Sequence, residues 1–191
     1  MLDEADESSV IVLGSRGHGR LASAFVGSVS QHIAQHAPCT VVAVREASDP
    51  RQDTVLVGVD GSDGCRPALD FAFEHASRTG APVTALYVSE SLRGRLGRAR
   101  EEAVSPEDTD LTAAEPVVAE TLRPYTEKYP DVSVHRELTY GSAVRSLADA
   151  SEHAALIVVG SRGRGAFESL LLGSIGQGLL HHAHCPVVIA R

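Results

Sequence analysis

Val158-Val-Gly-Ser-Arg-Gly-Arg-Gly-Ala-Phe-Glu-Ser-Leu-Leu-Leu-Gly-Ser-Ile175 has a near twin earlier in the chain, Val12-Leu-Gly-Ser-Arg-Gly-His-Gly-Arg-Leu-Ala-Ser-Ala-Phe-Val-Gly-Ser-Val29. Each copy passes from an apolar stretch through a glycine loop, G-x-x-G-x-G, to a Gly-Ser pair. Without a gap, Gly14 falls on Gly160, Gly17 on Gly163, Gly27 on Gly173 and Ser28 on Ser174. The match continues through Cys39 and Cys185 to Arg45 and Arg191, with about half the positions identical. Self-similarity this long means two related structural units. Residues 1–46 hold the first and residues 54–191 the second, with 47–53 a polar linker containing Pro50.

An apolar run ending in a glycine loop is how a buried parallel strand leaves a sheet. Glycines there can take positive φ and let a ligand approach the backbone. The following segment, Ile175 to His182, reads as a helix. Its N-terminus would offer unpaired N–H groups to a phosphate, with the Ser174 hydroxyl as a further donor. A plain tight turn with Ser174 as helix cap fits the same residues. The spacing excludes two familiar loops. The dinucleotide fingerprint separates its first two glycines by one residue and the next pair by two, the reverse of the order here, and no Gly-Lys-Ser or Gly-Lys-Thr follows as in a Walker loop.

The pattern G-x-x-G, nine residues, G-[ST] resembles the ATP-binding signature of the universal stress protein family, and both copies fit it. The resemblance covers essentially all of 54–191, whereas 1–46 corresponds to the last third of a domain. It implies a Rossmann-like α/β fold with parallel strands in the order 3-2-1-4-5. It also implies an ATP site, with Mg2+ allowed alongside. Asp60 would accept hydrogen bonds from the ribose, and Val59 and Val88 would contact adenine. Gly163, Gly173, Ser174 and the backbone of Ile175 would hold the phosphates, with Gly160 giving room. Arg162 and Arg164 add charge to that loop, although solvated arginines are the plainer reading. Without the repeat, Asp60 would read as an Asx turn or a helix cap. Gly176 and Gly178 depart from the family pattern. Inside the expected helix each costs up to about 1 kcal/mol against alanine, so a loose helix start is expected.

The second unit alternates strands and helices, which predicts a parallel sheet covered on both faces. Strands are expected at Thr54–Val59, Pro82–Val88, Val132–Thr139 (an edge) and Leu156–Val159. Helices are expected after Pro67, at about Asp108–Lys128 with interruptions or kinks at Pro116 and Pro124, and at Ser142–His153. The first unit offers only a strand at Val10–Leu13, a helix at Gly27–Gln35 and a strand at Thr40–Val44. Its glycines have no counterpart of Asp60, so one ATP per chain is expected. The strand at Val10–Leu13 has an open edge. Thr40–Val44 is expected to pair with Pro186–Ala190 across a pseudo-two-fold, as in the family's dimers, and homo-oligomers through terminal strands follow from that.

Composition bounds the rest. A 43% apolar fraction with 22% charged residues is ordinary for a globular protein. A net charge of -8 gives no general attraction to nucleic acid or an acidic membrane. No apolar run reaches membrane-spanning length and the N-terminus is acidic, so the sequence reads as cytoplasmic. Three cysteines without a C-x-x-C indicate neither a disulfide framework nor a zinc site. His181, His182 and His184 lack a companion ligand pattern and suit a helix C-terminus better than a metal. The segment containing Arg93, Arg95, Arg98 and Arg100 reads as a solvated loop. No general base or activated nucleophile is recognisable near the signature, so turnover, if any, is expected to be slow. The expected function is a non-catalytic ATP-dependent stress-response module with an unknown signalling partner. A nucleotide-free dimerisation scaffold and an adenylating enzyme are the alternatives. The latter would need a Ser-Gly-Gly-x-Asp-Ser or His-x-Gly-His motif, and Val59-Asp-Gly-Ser-Asp-Gly64 is neither.

Overall fold

The computed structural model describes residues 6, 9–14, 28–45, 52–89, 106–163 and 172–191. Gly17, Gly27, Arg164, most of the linker and the arginine–glycine segment at 93–100 lie outside the described residues. One seven-stranded sheet organises the molecule, built from β1 (Val10–Gly14), β2 (Thr40–Val44), β3 (Val55–Val59), β4 (Val83–Ser89), β5 (Val134–Tyr140), β6 (Leu156–Gly160) and β7 (Val187–Ala190). Their order is β1-β2-β7-β6-β3-β4-β5. The five strands of the second unit therefore lie in the expected 3-2-1-4-5 order. The sheet departs from wholly parallel at one place: β2 runs antiparallel to β7, with Val42 opposite Val188.

That seam places the two units about a local two-fold. Val41, Val42 and Ala43 pair with Ile189, Val188 and Val187, as the repeat predicts. Five helices cover the sheet: α1 (Ser28–His36), α2 (Arg66–Thr79), α3 (Pro106–Lys128), α4 (Ala143–Ala150) and α5 (Ser174–His182). The apolar residues of α2 and α3 (Leu69, Phe73, Val118, Leu122) form one buried layer with β3 and β4. Those of α1, α4 and α5 (Ile33, Leu147, Leu179) form the other, continuous across the seam. Among the described residues the first unit's helix, α1, lies on one face of the sheet, and Val10, Val12 and Val44 are exposed on the other.

α3 runs unbroken through both Pro116 and Pro124, so the expected interruption is absent. Both prolines are exposed, so water can serve the backbone carbonyls that lose a donor, and the buried stripe of Ala114, Val118 and Leu122 holds the helix down. β5 is the expected edge strand, and its successive His135, Arg136 and Glu137 are all exposed.

Candidate functional site

Chain connections leave β3 and β6 in opposite directions. From β3 the chain crosses through α2 to β4, and from β6 it passes through α5 to β7 on the other side. Loops that diverge between adjacent parallel strands open a crevice at the strands' carboxyl ends. Asp60 follows β3 and Gly160 ends β6, so both stand at this point.

The two loops meet backbone to backbone. A Cβ added to Gly160 would stand 2.2 Å from the Gly64 carbonyl oxygen, and one on Gly64 would stand 2.9 Å from that of Arg162. A Cβ on Gly163 would lie 2.9 Å from Asp60 Oδ2. None of Gly160, Gly163 and Gly173 has positive φ. This corrects the positive-φ reading: Gly160 and Gly163 let the two loops approach each other, and a Cβ on Gly173 would make only ordinary contact, 3.4 Å from Ser161 O.

Asp60 Oδ1 accepts hydrogen bonds from Ser62 N at 2.9 Å and Ser62 Oγ at 2.7 Å. This is the Asx turn that the residue alone suggested. It aims the half-buried carboxylate so that its second oxygen lies beside Gly163. Cys65 then closes the turn by donating from its N to Ser62 O at 3.2 Å.

Ser161, buried and unforeseen, ties the remaining pieces together. Its N donates to Ala190 O at 2.9 Å, and its O accepts from Gly173 N at 2.8 Å, so the start of the signature loop and its end meet at one residue. Ser15 stands at the same place in the first copy, and that repetition was the available signal. Gly173 is the N-cap of α5 with extended backbone, and no side chain caps the helix. Ser174 is therefore the first helical residue and not the cap. Gln177 N reaches back to Gly173 O at 3.1 Å, so the N–H groups of Ser174, Ile175 and Gly176 form the open first turn. Ser174 is exposed, and Ile175 packs partly against the α1–α4–α5 layer. Arg162 is exposed at the loop's base. Burial holds the neighbouring Arg191 guanidinium below the ordinary arginine range, and Arg162 adds repulsion in the same direction. The electrostatic setting at this end of the sheet is thus a helix N-terminus with two arginines nearby.

The structure thus brings Asp60, Gly160, Arg162, Gly163, Gly173, Ser174 and Ile175 to one end of the sheet. Val59 and Val88 are separated. Val59 is buried in the α2–α3 layer, whereas Val88, one step further along β4, packs on the opposite face. Open grooves of about 580 Å³ and 610 Å³ flank β5 and contain none of the predicted site residues. His184 Nε2 lies 3.5 Å from Glu152 Oε1, and among the described residues no cluster of three or more His, Cys, Asp or Glu is placed to hold a metal. No helix among them is long and apolar enough to cross a membrane.

The helix glycines have a local reason. A Cβ on Gly178 would stand 2.5 Å from Val144 Cγ1, and one on Gly176 would stand 2.7 Å from Leu172 Cδ1. They let α5 lie close against α4 and the loop below it. The loose start expected from propensity is not seen, because packing outweighs it.

Comparison with known proteins adds four findings. The family model described as the universal stress protein family matches residues 2–45 and again residues 52–191. A universal stress protein of Mycobacterium tuberculosis is 37% identical over all of this chain and 64% of its own length, so the chain spans about two thirds of that relative. Among solved structures, a universal stress protein from Archaeoglobus fulgidus superposes over 96% of this chain and 62% of its own, with a TM-score of 0.64 at 24% identity. A universal stress protein in complex with cAMP shares the fold over 73% of this chain and 97% of its own, with a TM-score of 0.54 at 20% identity.

Proposed function

The chain belongs to the universal stress protein family, and from that premise we propose that its second unit binds ATP and acts as a non-catalytic, nucleotide-dependent regulatory module. One observation carries the reading: the uncapped first turn of α5 opens at the crevice where Asp60 and the backbone-lined glycine loop converge. Residues present there suit a nucleotide. The α5 N–H groups and the Ser174 hydroxyl would hold phosphate oxygens, and among the described residues no side chain caps that helix end. Asp60 would accept from ribose hydroxyls through the oxygen beside Gly163, its other oxygen being held by Ser62. Gly160 and Gly163 keep Cβ atoms out of the cradle. Val59 contributes its strand end. Val88, facing the other side of the sheet, contributes backbone only.

ATP would bring a phosphate chain whose negative charge the helix terminus partly offsets. Every protein group named here binds or orients, and none is set to move a proton. Asp60 is committed to Ser62, which favours recognition over general-base work. A related fold is known in complex with cAMP, so cAMP is the natural competitor to ATP.

The test is to denature freshly purified protein, identify released nucleotide by mass, and titrate nucleotide-free protein with ATP and cAMP by calorimetry. A Gly173→Val, Ser174→Val variant serves as the control. ATP near one per chain, lost in the variant, supports the proposal. Binding of cAMP alone would redirect it to a cyclic-nucleotide module. Binding of neither would leave the nucleotide-free scaffold as the reading.

A further inference from the structure

Arg45 and Arg191 occupy matching places in the repeat, each directly after a seam strand. Each crosses the seam to the helix that follows the other unit's glycine signature. Arg45 donates from Nη1 to Ala183 O at 2.7 Å and from Nη2 to Leu180 O, both at the end of α5. Arg191 donates from Nη1 to Cys39 O at 3.1 Å and from Nη2 to Ala34 O at 2.7 Å, at the end of α1. The helix ends match as well: Ala183 N bonds Leu179 O at 3.0 Å, and Ala37 N bonds Ile33 O at 2.8 Å.

α5 has no left-handed glycine at its C-terminus, and Ala183 leaves it in extended conformation. The last carbonyls therefore depend on an outside donor, and a guanidinium there also complements the helix dipole. α5 has nine residues, so it is only about 13 Å long at 1.5 Å per residue. Fixing one end of so short a rod fixes the direction of the other.

We infer that Arg45, supplied by the first unit, is a positioning residue for the phosphate-facing end of α5 in the second. The two units are coupled through reciprocal arginine clamps. This rests on the proposed nucleotide reading for its functional consequence, but the clamp itself is testable without nucleotide. Arg45 touches no ligand and acts only through the helix.

The experiment compares full-length Arg45→Lys and Arg191→Lys, which keep the charge but not the two-pronged bond, with Arg45→Ala as the harsher variant. Amide hydrogen exchange without nucleotide is read at residues 180–184, at residues 34–39 and, for global stability, at the buried face of α2. Arg45→Lys should speed exchange at 180–184 alone, and Arg191→Lys at 34–39 alone. ATP affinity should fall about threefold to tenfold in Arg45→Lys, the scale of one lost hydrogen bond, at a thermal stability equal to that of the unmodified protein. Unchanged exchange at 180–184 in Arg45→Lys overturns the clamp. Faster exchange there with undiminished ATP affinity overturns the positioning role. If the unmodified protein binds no ATP, the nucleotide reading fails while the exchange arm still decides the clamp.

Discussion

Gly160 shows what single residues contribute. Its absent Cβ leaves room for the Gly64 carbonyl, a backbone atom with little freedom to retreat. Gly160→Ala should therefore cost about 3 kcal/mol in urea unfolding, the upper range of overpacking. Asp60→Asn keeps an oxygen acceptor for Ser62, so it should leave stability within about 0.5 kcal/mol while weakening ATP on the proposed reading. Asp60→Ala should lose both. Cys185 makes a different prediction. Burial pushes its thiol from an ordinary 9.0 up to about 12, with nearby hydrogen bonds and Arg45 opposing. An unfolded chain would ionise this thiol first as pH rises. Stability conferred by the protonated form is complete below pH 9 and is lost between there and pH 12, at up to about 1.4 kcal/mol per pH unit. A Cys185→Ala variant followed by denaturant titration at pH 8 to 11 should show a flatter decline. The signature glycines stood out because the chain states its loop twice, whereas Asp60, outside the repeat, was singled out only by the family resemblance. Ser161 and Gly64 were not, since their importance lies in backbone atoms brought together by the fold.

At the scale of elements, α5 corrects propensity with packing. Alanine at 178 would strengthen an isolated helix by about 1 kcal/mol, yet its Cβ would meet Val144 at 2.5 Å. Gly178→Ala should destabilise the protein by about 1–3 kcal/mol. Adding Val144→Ala should recover much of that loss, and a double-mutant cycle of unfolding free energies reads the coupling. α3 teaches the same lesson from the other side. Two prolines argued for a break, but an exposed face and a buried stripe of Ala114, Val118 and Leu122 keep one helix. Strands and helices of the second unit were legible to within a few residues because their apolar periods are clear. Helix contacts across elements were not, because a sequence does not say which helix a glycine faces.

Over the whole molecule, the sheet has unlike edges. β5 presents His135, Arg136 and Glu137, charges that discourage strand addition, whereas β1 presents Val10 and Val12, the latter 62% exposed. β7 offers no edge to another copy, since β2 of the same chain covers it. Self-association should therefore run through β1. Val12→Lys should reduce it in sedimentation velocity across a concentration series, with thermal stability nearly unchanged. Equal association in the variant would exclude that edge. The order of the second unit's strands and the pairing of β2 with β7 both followed from the family resemblance that the repeated signature carries. Carrying two units in one chain turns what separate copies would accomplish by meeting into an internal closure.

That closure has a consequence for synthesis. β2 leaves the ribosome early, but the strand that covers it, β7, is separated from it by nearly the whole second unit. Contacts so distant along the chain form late. Until β7 is made, β2 would be paired on its β1 side only, and the end of α1 would lack the Arg191 clamp. The first unit's protection in that interval would fall to chaperones rather than to its own structure.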